Sequence, residues 1–214
     1  MNRPVARLAL TACVAALLSA CATAPSGPTA SSAAPSVAAQ QASDVQQLQD
    51  LFVQTLPIGQ VLARVAAEEP NWPLQNHMDQ YSAKDVACLR SNLLPEKGDA
   101  VLRKRAADYA AKHPDRVKDD VAVLKGGVTE AMAKTAGAAM TGKAAAKPDA
   151  ESLKPLIEFL MAPRHQDLRE ALYMDAIADA MLGAQSGRNA GRGIGARIMV
   201  PLVLDAAKQC NVKF

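Results

Sequence analysis

Aromatic side chains are scarce in this chain: one Trp, three Tyr and three Phe make up 3% of its 214 residues. Alternating apolar and polar runs are equally rare, and together these absences argue against a sheet architecture, because strands favour aromatic and β-branched residues. Long blocks of one charge are missing too. The formal net charge is only +3, with no lysine or arginine cluster to give an electrostatic footprint for nucleic acid or strongly anionic lipid. Neither a Gly-x-Ser-x-Gly elbow nor a His-Glu-x-x-His pair occurs. The three histidines, His77, His113 and His165, lie far apart without a partner at i+3 or i+4, so neither a metal nor another cofactor is expected.

What is present begins at the amino terminus. Met1, Asn2, Arg3 and Arg7 form a short cationic start, Leu8 to Leu18 is an apolar run too short to span a bilayer, and small residues follow at Ser19 and Ala20. That order of zones predicts an export signal over residues 1–20. Leu18-Ser19-Ala20-Cys21 closes it and resembles the lipobox of bacterial lipoproteins: Leu, two small residues, then Cys. The resemblance implies diacylglycerol on the Cys21 sulfur, cleavage before Cys21 and fatty acylation of the new amino group. Position 22 is Ala and not Asp, which in such lipoproteins implies the outer membrane, with the domain on the periplasmic face. Two or three acyl chains anchor a protein stably where one holds it only marginally.

Residues 22–42 carry no charged side chain and are dominated by Ala, Ser, Pro, Thr and Gln. Such a stretch buries too little apolar surface to offset its ordering entropy. A flexible tether is expected over 21–42, reaching roughly 25 Å, with one helical domain over 43–214. Removing Arg3 and Arg7 leaves 22 basic against 21 acidic residues, a mature charge of +1. Cys13 departs with the signal and Cys21 is consumed by lipid. Cys88 and Cys210 remain, and in an oxidising compartment they are expected to form a disulfide worth at most about 4 to 5 kcal/mol. Two separately buried thiols are the alternative.

From Ser43 onward the pattern is helical and the expected fold is all-α, one domain of eight or nine short helices. Val45, Leu48, Leu51 and Phe52 form one stripe; Pro57 and Gly59 interrupt; Ile58, Val61, Leu62 and Val65 form the next. Trp72, between prolines at 70 and 73, reads as a core plug at a joint. Ser82 and Asp85 have the spacing of a capping box. A helix stopped by Gly126-Gly127, a loop over 141–149, a long helix over 164–185 and a glycine-rich stretch before Ile198 complete the expectation. Tyr81-Ser82-Ala83-Lys84-Asp85-Val86, continuing through Arg90-Ser91 to Pro95-Glu96-Lys97-Gly98, resembles a family of uncharacterised helical domains of exported bacterial proteins. Over residues 81–105 that resemblance implies helicity and export.

Three constellations have chemical potential. Asp175 and Asp179, one turn apart, have the spacing of an acid/base pair whose protonation an apolar setting could split; a solvated helix edge is the plainer reading. Glu151-Ser152 is similar to the catalytic Glu-Ser of lytic transglycosylases, but Ser152 serves equally as a helix cap. Arg188, Arg192 and Arg197 among four glycines are anion-binding candidates, although the preceding segment is helical where a phosphate loop needs a strand. The sequence therefore points to a lipid-anchored envelope protein with a non-enzymatic structural or interaction role. Its expected partners are the membrane, through its anchor, and an envelope protein or peptidoglycan. The alternatives are a peptidoglycan hydrolase, or a helical module binding a lipid or small molecule.

Overall fold

Leu48, Phe52 and Leu102 are wholly removed from solvent, and they mark the seam where two long helices meet. The computed structural model describes residues 36–74, 80–141, 149–181, 183 and 187–213. Cys21, the signal segment and residues 21–35 of the expected tether lie outside these. Ten α-helical segments occur among the described residues, and no strand. The first four are α1 (Val37–Thr55), α2 (Ile58–Glu68), α3 (Ala83–Asn92) and α4 (Pro95–Lys112). α1 lies against α4, α5 (Val117–Val123) and α6 (Thr129–Thr141). These helices, with α7 (Ala150–Met161) and α8 (Gln166–Ala171), enclose a core that includes Leu124, Phe159, Leu160 and Leu168. α9 (Asp175–Met181) leads to α10 (Gly187–Cys210).

A second, smaller core forms where α10 returns to α3. Leu62, Trp72, Leu89, Leu93, Ala206 and Ala207 fill it, and Ile58 packs against both cores. Trp72 does plug a joint, between α2 and α3. The Sγ atoms of Cys88 and Cys210 are 2.05 Å apart, joining α3 to the end of α10. α2 and α4 cross where neither can carry a side chain. A Cβ on Gly59 would stand 2.6 Å from Asp99 Oδ1, and one on Gly98 would stand 2.8 Å from Ile58 Cγ2. The Gly59 amide donates to Asp99 Oδ1 at 3.2 Å, so glycine there permits both the approach and the bond.

Several boundaries differ from the sequence expectation, each for a local reason. α1 begins at Val37, taking in the end of the expected tether: Ser36 caps it, its Oγ accepting from the Ala39 amide, and the Ala and Gln that follow are good helix formers. Ser82 and Asp85 do form the capping box. Gly126-Gly127 does interrupt its helix: Gly126 (φ −69, ψ 15) and Gly127 (φ 116, ψ −12) leave helical geometry and kink the chain between α5 and α6. A Cβ at Gly127 would meet Pro155 Cγ of α7 at 2.8 Å, so the kink is a seat for that proline. The cap of α7 is Asp149, whose Oδ1 accepts from the Ser152 amide at 2.8 Å, while Ser152 Oγ donates back to the Asp149 carbonyl. Residues 142–148 of the expected loop lie outside the described residues.

The long helix expected over 164–185 is instead a 3-10 turn (Pro163–His165), α8 and α9. Tyr173 takes φ 56, a left-handed conformation unusual for an aromatic residue. Arg105 of α4 imposes the break. Its Nε and Nη2 donate to the carbonyls of Ala171 and Glu170, and its guanidinium lies 3.9 Å over the Tyr173 ring. The glycine-rich stretch is helical, forming the first half of α10. Tertiary packing supplies what propensity withholds, through burial of Ile198, Ala206 and Ala207.

Gly127→Ala should destabilise the fold by about 1–3 kcal/mol, since it combines left-handed strain with the Pro155 clash. Gly126→Ala, at φ −69 with open space around it, should stay within about 0.5 kcal/mol of wild type. Urea unfolding of both variants distinguishes the two positions, and equal effects would refute the seat.

Candidate functional site

Four elements converge on one charged groove of about 500 Å3: Arg105 from α4, Arg169 and Glu170 from α8, Asp175 and Asp179 from α9, Arg197 from α10. Two separate sequence expectations meet here, the carboxylate pair and one of the three candidate arginines, Arg197. Arg197 Nη1 donates to both oxygens of Asp175, at 3.0 and 2.9 Å. Asp175 holds the Arg197 pKa above its usual value through that bond and its charge. Asp179 is exposed, and neither it nor Glu170 makes a side-chain hydrogen bond among the described residues. Glu151 lies elsewhere, exposed in the first turn of α7. Arg192 is exposed on α10, and the Arg188 side chain lies outside the described residues.

The groove's other arginines are committed to the backbone. Arg169 Nη1 donates to the carbonyls of Phe159 and Ala162 at the end of α7, at 3.0 and 2.6 Å; Arg105 does the same for α8. Helix ends leave carbonyls without intrahelical partners, and guanidinium is well suited to them. These contacts fix where the two guanidinium groups stand and so shape the groove. An adjoining hollow of about 210 Å3 shares Arg105 and Glu170 and adds Asp108, Lys112 and His113. The surface is one of mixed sign. For hydrolysis it is poorly arranged: Asp175 has both oxygens occupied by a cation, and Asp179 stands in solvent where nothing apolar differentiates it.

Beneath this surface lies a polar cluster that the sequence reading passed over. Asp120 of α5 is only 3% exposed. Tyr109 Oη donates to its Oδ2 at 2.6 Å, and Arg116 Nη2 stands 3.9 Å from its Oδ1. Arg116 also donates to Asp167 Oδ2 and to the Arg164 carbonyl, each at 2.8 Å. Burial pushes the Asp120 carboxyl above its ordinary range, against the opposing Tyr109 hydroxyl and Arg116 charge. The Tyr109 phenol is raised by burial and by Asp120. One sequence signal could have found it: Asp120 sits three residues from Val117 and four before Leu124, an acid on an apolar stripe.

Among the described residues no group of His, Cys, Asp and Glu could hold a metal ion, and no helix is long and apolar enough to cross a membrane. No protein-family model, curated protein or solved structure matches the chain.

Tyr109→Phe removes the donor from a buried carboxylate and should cost about 1–3 kcal/mol in urea unfolding. Arg197→Ala breaks a pair whose side chains are 51% and 37% exposed and should cost less than about 1 kcal/mol. The reverse ranking would mean that the groove, not the buried cluster, stabilises the α8–α9 region.

Proposed function

We propose that this protein is an outer-membrane lipoprotein whose helical domain, facing the periplasm, binds a partner without catalysis. The observation that carries the reading is Leu18-Ser19-Ala20-Cys21 at the end of an apolar run too short to span a bilayer. The groove is consistent with an interaction role. Its arginines are held by backbone capping and by one ion pair while Glu170 and Asp179 face solvent, which suits recognition of a partner by complementary charge and leaves no differentiated acid and base. The proposed partner is an envelope protein or peptidoglycan, both of which carry ionised groups of either sign. The resemblance of residues 81–105 to helical domains of exported proteins points to the same compartment.

Cys21→Ala should release the protein from the membrane fraction, or stall its processing with the signal still attached. Unchanged fractionation and mass would overturn the anchor. Purified protein incubated with sacculi should release no soluble fragments; release abolished by Asp175→Asn, Asp179→Asn or Glu151→Gln would establish the hydrolase instead.

A further inference from the structure

His165 is 7% exposed, stacked at 5.4 Å against Phe159 in the 3-10 turn that feeds α8. Its Nε2 accepts from Arg164 Nε at 3.0 Å, which places the ring proton on Nδ1. Nδ1 is buried without a hydrogen-bond partner among the described residues. The neutral ring therefore has one satisfied acceptor and one unsatisfied donor. A second proton has no favourable place: on Nε2 it would set an N–H against the Arg164 N–H, removing that bond while the buried Nδ1–H stays unpaired.

We infer that His165 is a pH-sensing pin: neutral, it holds the Pro163–Ala171 segment in place, and on protonation in mildly acidic solution it releases that segment and with it a wall of the charged groove. The charges around it oppose protonation on balance. Arg164 lies on its own turn, Arg116 caps α5, and Arg169 projects from α8; against these stand Asp120 of α5 and Asp167 of α8, with Tyr109 of α4 hydrogen-bonded to Asp120. Arg116 and Asp167 neutralise one another at 2.8 Å. The segment so held supplies Gln166, Arg169 and Glu170 to the groove, so its release alters the surface whatever partner that surface takes.

The direction of the pH effect follows. Burial, then Arg164, hold the His165 pKa below its ordinary 6.5. A histidine so depressed keeps its full contribution above pH 6.5 and loses it as the pH falls below, because the opened segment takes the proton that the closed one refuses. Asp120 acts oppositely. Raised above its ordinary 3.8, it takes up a proton more readily in the folded protein, which offsets part of the loss at lower pH. The constant for opening the segment should rise by up to about tenfold per pH unit below 6.5.

The test is hydrogen exchange on the full-length protein in detergent at pH 7.5 and 5.0, corrected for intrinsic rates, with NMR titration of the histidine rings. Wild-type amides of residues 165–172 should lose protection relative to α1, by up to about tenfold per pH unit below 6.5, and the His165 ring should titrate below 6.5. His113→Gln should preserve the step and His165→Gln abolish it. Equal protection at both pH values, a His165 ring titrating at or above 6.5, or a step that survives His165→Gln would overturn the pin. Should His165→Gln fail to fold, the wild-type protection step and ring titration decide alone.

Discussion

The seam between α1 and α4 is the contact on which the rest of the molecule depends. Leu48 and Phe52 on one side and Leu102 and Ala106 on the other are wholly buried, and each large side chain there contributes roughly 1.5–3 kcal/mol through burial alone. α4 then distributes that anchorage. Near its start Gly98 lets α2 cross; at mid-length Arg105 breaks the α8–α9 path; one turn later Tyr109 reaches Asp120 of α5. The second core, the groove and the buried cluster all take their positions from this helix.

Beside the long α1, α4 and α10, the described residues form seven helices of 6 to 13 residues, and short helices multiply unpaired carbonyls. Arginine is the recurrent answer. Arg90 donates to the carbonyls of Ala66 in the last turn of α2 and of Pro70 beyond it, Arg105 to those of α8, Arg116 to Arg164, and Arg169 to the end of α7. These contacts tie each helix end to another element, so much of the positive charge is structural. The groove's sign pattern follows, because the arginines are engaged while Glu170 and Asp179 are left facing solvent.

The helical class, the starts of α2, α3 and α5, the Ser82–Asp85 box and the Trp72 plug were legible in the sequence because each rests on interactions within a few residues. The misplaced boundaries share a different cause. Tyr173 turns left-handed because Arg105 captures the carbonyls beside it, and α10 stays helical through its glycines because its far end packs on α3. No local pattern encodes partners that distant. The groove was half legible: Asp175, Asp179 and Arg197 were each conspicuous, but only the packing of α9 against α10 brings them together, and Glu151 falls outside it.

The claim that this charged face is where an anchored, non-catalytic protein meets its partner is tested most directly by site-specific crosslinking in intact cells. A photoreactive residue at position 179, in the lipidated protein, should give a discrete adduct that the same residue at position 151 on α7 does not give. Identical adducts from both positions, or none from 179, would contradict the account.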